Sequence, residues 1–395
     1  MSTATTSTPL SRRALLQALS GRGTADGSGG DILVFVTLWG GFDGLTAVPP
    51  VGDADYAPAR PTIAVPAGSA IQLDRLFGLH PALAPLKPWW DAEKLAVVHA
   101  VGIPYPTLSH FQAQADLGQA APGSSVKTGF LNRMLGTLPG SSALRAVQIG
   151  DSVLVASLLG PEPVTTIWEV GSFQLDGVQW YAGLPKTIGQ LYSGVRGPCA
   201  TTARETLKAC ATLGQFVGKT YTPAEGADYP SGELSSALQG VAQLIKAGVT
   251  MRVAAVDYGD WDFHAALGSP EGGAMAVMLE ELGGALAAFA TDLGPLFDRV
   301  TIVTVSEFGR RVAENGSAGV DHGHGNAMLV LGGHVKGGRV YGTWPTLAPS
   351  ALDGGDLKGT TDYRDVLAEV LVRRCAVGSL STVFPRFTPR FLGLA

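Results

Sequence analysis

The stretch Asp31-Ile-Leu-Val-Phe-Val-Thr-Leu-Trp-Gly-Gly-Phe-Asp-Gly44 decides the fold. Its first eight residues form a continuous apolar run rich in β-branched side chains. Such runs read as strands buried on both faces, as in a parallel sheet covered by helices, rather than as strands with one wet face. The run breaks at Gly40-Gly41, where the backbone is free to turn tightly and approach a ligand. Similar runs recur at Leu95–Val101, Val253–Asp257 and Val300–Val305, with a shorter one at Met328–Leu331.

Between these runs the apolar spacing changes to threes and fours. Glu233–Ala247 and Ala274–Leu293 read as helices, as does Asp362–Arg374, where Asp362 is placed to cap the N-terminus. Strands alternating with helices predict an α/β fold, a doubly wound, mostly parallel sheet. Residues 152–230 fit less well. They are rich in Thr, Gly and Pro, show one modest helix near Thr202–Thr212, and read as an inserted, loop-rich cap on a single domain spanning 31–395.

The composition narrows the function. Hydrophobic residues make up 46% and charged residues 15%, the balance of a well-buried globule rather than a disordered chain. A net charge of −5 gives no electrostatic footprint for nucleic acid. No run reaches the roughly 18–20 apolar residues of a bilayer span, so no integral membrane segment is expected. Cys199, Cys210 and Cys375 form no CxxC, which excludes a thiolate zinc site; Cys199 and Cys210 could bridge in an oxidising compartment. Residues 1–30 carry Ser11-Arg12-Arg13-Ala14-Leu15-Leu16, which looks like a twin-arginine export signal and points to a periplasmic location, although the apolar stretch after it is short.

In open α/β sheets, ligands bind beyond the C-terminal ends of the strands, so chemistry-bearing residues should follow the predicted strands. Asp43 follows the first, Ser109 and His110 the second, and Asp257, Asp260, Asp262 and His264 the third. Glu307 follows the fourth, and Asp321, His322 and His324 lie in the glycine loop before the last. Carboxylates and imidazoles are ligands for divalent metals. Each residue also has a plainer reading: Asp43 could close an Asx turn, Ser109 could cap a helix, and Glu307 could pair with Arg310 and Arg311. His322 is the exception, because a flexible Asp-His-Gly-His-Gly loop has no core to satisfy an imidazole. His80, His99 and His334 read as structural.

Gly40-Gly41-Phe42-Asp43-Gly44, Ser109-His110-Phe111, Trp261-Asp262-Phe263-His264, Ser306-Glu307-Phe308-Gly309-Arg310 and Asp321-His322-Gly323 occur in an order that resembles the domain of unknown function 1501 family. That family in turn looks like a branch of the alkaline phosphatase superfamily, which includes sulfatases and phosphodiesterases. The resemblance implies an alkaline-phosphatase-like fold and a metal-dependent hydrolase of a small anionic ester, phosphate rather than sulfate. It makes Ser109, at a helix N-terminus, the nucleophile, and Asp262, His264 and His322 the ligands of a divalent metal, zinc foremost; Asp260 is an alternative to Asp262. Asp43 and Glu307 would hold a second cation, such as Mg, Mn or Ca. His110 or His324 would be a general acid or a further ligand, and Arg310 or Arg311 would bind the anion. The superfamily's Ser-Asp-His-Gly reads Ser306-Glu307-Phe308-Gly309 here, so one ligand of that second site is missing. A protein that keeps the metal and the scaffold without turnover is the alternative.

Overall fold

The computed structural model describes residues 31–395; the export-signal-like segment lies outside the described residues. The strands of the main sheet are β1 (Ile32–Leu38), β2 (Leu95–Gly102), β3 (Ala146–Ile149), β4 (Thr165–Ile167), β5 (Val253–Tyr258), β6 (Val300–Val305), β7 (Asn326–Gly332), β8 (Arg339–Tyr341) and β9 (Thr361–Asp362). They form one nine-stranded sheet in the order β8-β2-β7-β6-β1-β5-β3-β4, with β9 pairing on β2. All neighbours are parallel except β7, which runs antiparallel to both β2 and β6. The reason is the loop 306–325, which turns back at the C-terminal edge of β6 instead of crossing over through a helix. The same turn keeps Glu307 and His322 on that edge.

Helices cover both faces, as a sheet apolar on both sides requires. On one side α5 (Glu233–Lys246) and α6 (Ala274–Leu293) bury Val34, Val36 and Val256; on the other α1 (His110–Gln119), α2 (Phe130–Thr137) and α7 (Tyr363–Arg373) bury Leu33, Phe35 and Ala255. The doubly wound, mostly parallel α/β reading therefore holds. Asp362 caps α7 as expected, its carboxylate accepting from the Arg364 amide at 2.9 Å. The helix that includes α6 has an 18-residue window of mean hydropathy 1.4, long and apolar enough to cross a membrane; 56% of that window is buried, between α5 and the Pro81–Leu86 turn.

Residues 152–230 contain two helices, α3 (Leu184–Leu191) and α4 (Pro198–Leu213), and also supply β4, the edge strand of the main sheet. The bridge between Cys199 and Cys210 is ruled out: both lie on α4, and three helical turns separate their backbones by about 16 Å, far beyond disulfide reach.

Candidate metal centre

Four side chains meet beyond the C-terminal ends of β1, β5 and β6. His110 opens α1, Asp262 and His264 lie in the loop after β5, and His322 comes from the turn before β7. The ligating atoms of His110, Asp262 and His322 lie within 4.8 Å of one another. The Nε2 atom of His322 is 3.0 Å from that of His110 and 2.9 Å from that of His264. The Asp262 carboxylate lies 3.4 Å from His322 Nε2, 3.5 Å from His110 Nε2 and 3.1 Å from His264 Nε2.

Proton accounting explains why these contacts call for a cation. His322 Nδ1 lies 2.8 Å from the Leu108 carbonyl, which only accepts, so Nδ1 must carry the proton. His110 Nδ1 donates to Glu307 Oε1 at 2.7 Å, and His264 Nδ1 to Asp321 Oδ1 at 3.0 Å. The Nε2 lone pairs of His110 and His264 are thereby left facing that of His322, and all three face the Asp262 carboxylate. One proton could relieve one such contact; a divalent cation relieves them all. Zinc bonds to nitrogen and oxygen are about 2.0–2.1 Å long, which sets tetrahedral ligand edges near 3.3 Å. The observed separations bracket that value around His322 and Asp262, and His264 joins the group through those two residues, a donor set of the kind a divalent metal accepts.

The surroundings hold the ligands in place. Arg310 is 1% exposed, and it donates to the carbonyls of Gly41, Val320, Gly40 and Trp261 and to Asp262 Oδ1. Burial pulls the Asp262 carboxyl upward, but the hydrogen bond and charge of Arg310 outweigh it and hold the group below the usual carboxylate range. Partial burial lowers His322, favouring the neutral, metal-binding imidazole. His264 and Asn315 together hold Asp321 low. The Phe308 ring packs 4.7 Å from the His110 ring and 4.8 Å from the His322 ring, a wedge between the two imidazoles. Gly41, at φ +66°, is needed for this arrangement: a Cβ there would come within 2.7 Å of the Phe308 ring.

Several sequence expectations are corrected. Asp43 is 2% exposed and gives both carboxylate oxygens to the buried Arg60 guanidinium, with Thr46 also donating to Oδ2, so a buried cation of the protein already neutralises it. Glu307 lies behind His110 and orients it: Oε1 accepts from His110 and the Gly40 amide, and Oε2 from Ser306. The oxygen-rich second metal site is therefore not assembled. His110 gives Nδ1 to Glu307 and turns Nε2 toward His322 and Asp262, the placement of a ligand rather than of a general acid. His324 turns away to the Ile103 carbonyl at 3.0 Å, wedged against Gly102 and Gly359. Arg310 is buried and all three of its nitrogens bond to protein groups, which points to a structural place for it in the arginine pair. Asp260 lies outside the cluster, leaving Asp262 as the carboxylate. Ser109 is exposed at the start of α1 with no capping bond from its hydroxyl.

Sequence reasoning missed Arg60, Asn315 and the Leu108 carbonyl. Asn315 donates to Asp321 Oδ1 and to the His264 carbonyl, locking the outer wall of the site. Nothing local in the sequence marks Arg60, whose partner lies seventeen positions away. The Glu-Asn-Gly-Ser run at 314–317 did carry a turn signal that Asn315 satisfies by accepting from the Ser317 amide.

A family model described as "Protein of unknown function (DUF1501)" matches residues 222–372, which bears out the resemblance over that span. No curated protein matches the chain. Among solved structures, the chain is similar to the PsFucS1 sulfatase from Pseudoalteromonas sp., with 12% identity and a TM-score of 0.36, over 91% of this chain and 69% of that one. It is also similar to the phosphonate monoester hydrolase of Agrobacterium radiobacter, with 9% identity and a TM-score of 0.36, over 91% and 78% of the two chains. A third similar structure is the C-terminal periplasmic domain of EcEptC from Escherichia coli in complex with Zn, with 10% identity and a TM-score of 0.35, over 78% and 75%.

Proposed function

We propose that this chain is a single-metal hydrolase of a small anionic ester, phosphate before sulfate. The observation that carries the reading is the cluster of His110, Asp262 and His322, with ligating atoms within 4.8 Å of one another, which His264 joins at 2.9 Å from His322 Nε2 and 3.1 Å from the Asp262 carboxylate. His110, Asp262, His264 and His322 would hold the metal, zinc by the nature of the donor set. When bound, such an ion polarises an ester oxygen and stabilises charge that develops on it.

The protein supplies the rest. Ser109 sits between two residues tied to the centre: the Leu108 carbonyl accepts from His322, and His110 is itself a ligand. Its hydroxyl is exposed and uncommitted at the first turn of a ten-residue helix, where free amides favour an anion. In this reading Ser109 Oγ bonds to phosphorus as the bond to the leaving oxygen breaks. The serine proton passes to solvent, the leaving alkoxide takes one from it, and water later releases phosphate and restores the serine. Glu307 and Arg310 act as positioning residues, one through His110 and the other through Asp262.

The second reading, a metal-holding scaffold without turnover, is favoured by one observation. Arg60 and Arg310, the buried guanidiniums next to the strand ends, are each paired with a carboxylate of the protein, Asp43 or Asp262, so their charge is already balanced without a substrate anion.

Elemental analysis of the purified protein separates these readings when joined to two variants. One zinc per chain, lost in His322→Ala, supports the centre. Turnover of a phosphate ester that disappears in Ser109→Ala while zinc remains supports the hydrolase. Bound zinc with no turnover across phosphate and sulfate esters supports the scaffold. Metal-free protein that melts normally overturns both.

A further inference from the structure

A second cleft opens on the same edge of the sheet, where nothing in the hydrolase reading places a role. It lies past the C-terminal ends of β3 and β4, against the first turns of α5, and has a volume of about 720 Å³. Small-ligand clefts run to about 300–1,000 Å³ and favour this edge of an open α/β sheet. Because β4, β3 and β5 are parallel neighbours, the cleft stands two strand spacings, about 10 Å, along the edge from the strand that delivers Asp262 and His264.

Its lining has a distinct chemistry. Trp168, the residue after β4, is 69% exposed on the cleft wall, although an indole of this size is ordinarily covered. Around it stand the polar ends of Glu169, Lys219, Glu233, Gln239 and Gln243, none hydrogen-bonded to another described side chain. Gln239 and Gln243 are one helical turn apart and present their amides on the same face of α5. Two carboxylates argue against a phosphate or other anion, and five polar ends argue against a wholly apolar ligand. A flat aromatic face ringed by planar amides and carboxylates suits a neutral ring with apolar C–H faces and hydroxyls on its rim.

We propose that this cleft binds the pyranose rings of an oligosaccharide, with Trp168 as the stacking platform. The cleft assignment stands on its own lining. Its extension, that the bound saccharide carries the anionic ester toward the metal centre, rests on the hydrolase reading.

The test is titration calorimetry of the full chain with neutral gluco-, galacto-, manno- and chito-hexasaccharides. One of them is expected to bind saturably, with affinity reduced about tenfold or more in Trp168→Ala. Replacing Gln239 and Gln243 together by Ala should weaken the same ligand, because both changes remove hydroxyl partners from half-buried positions on the cleft wall. Trp180→Ala, an 84% exposed tryptophan outside the lining, should bind like the parent. His322→Ala should bind like the parent too, which keeps failure of this proposal distinct from failure of the metal centre. Absence of saturable binding by every hexasaccharide, or undiminished binding in Trp168→Ala, overturns the proposal.

Discussion

Asp43 and Asp262 are built from the same parts and end in opposite states. Each follows the C-terminal end of a central strand, β1 or β5, and each is gripped by an arginine with a side chain 0% exposed. Asp43 is sealed: the Arg60 guanidinium meets both of its oxygens, Thr46 donates to one of them, and the carboxylate is 2% exposed. Asp262 meets Arg310 through Oδ1 and turns Oδ2 toward His110, with 45% of its side chain exposed. A carboxylate after a strand is therefore not in itself a metal ligand. What decides is whether the buried arginine takes both oxygens or leaves one facing the site.

The largest effect is expected where that sealing is undone. Arg60→Met leaves Asp43 buried without its counter-charge, a change that costs about 3–5 kcal/mol. Denaturant unfolding of the metal-free protein should show this loss, and adding Asp43→Asn should recover part of it. Zinc content in the folded fraction should not change. Loss of zinc with stability intact would break the comparison and return Asp43 to the metal site.

The same contrast separates the histidines. His99 is buried against Phe77 and Trp344, with Nε2 on the Val48 carbonyl and Nδ1 accepting from the Ala100 amide; burial pushes it down to about 4. His80, which caps the Pro81–Leu86 turn, is likewise lowered to about 4 by burial. Between pH 6.5 and 4 the unfolded chain binds protons at these positions and the folded chain does not, so stability falls as pH drops through that window. His99 alone accounts for a loss of about 3 kcal/mol by its lower end. In metal-free protein, His99→Gln should flatten the stability–pH curve over that range. An unchanged slope would mean that His99 is not held neutral by its surroundings.

These contrasts also show how far the sequence could be read. Unbroken apolar runs identified β1, β2, β5 and β6 because a strand buried on both faces has no polar side to confuse the pattern. β3 and β4 escaped because four and three residues are too few to show a period. His110, Asp262, His264 and His322 were all legible as candidates, since the strand-end rule and the glycine loop pointed to them independently. Their roles were not. Whether Glu307 binds metal or orients His110, and whether Arg310 meets an anion or Asp262, depends on where side chains point after folding. Asp43 was misassigned for a related reason: its neutralising partner Arg60 is brought in by tertiary packing, with no motif to announce it.

The finest form of the comparison lies between the two carboxylates that orient ligands. Glu307 and Asp321 each accept from a histidine Nδ1, but Glu307 has a side chain 0% exposed while Asp321 is 52% exposed. Loss of such an outer partner typically weakens metal binding about 10–100-fold. Glu307→Gln should fall in that range, because no water can replace a charge in a sealed site that also anchors the Gly40 amide. Asp321→Asn should cost about tenfold or less, since solvent and the Asn315 amide remain to hold the loop. Competition with a chelator of known zinc affinity measures both. A larger loss in Asp321→Asn than in Glu307→Gln would show that burial does not rank the orienting groups, and that the exposed wall around His264, rather than the core beneath His110, sets the affinity of the centre.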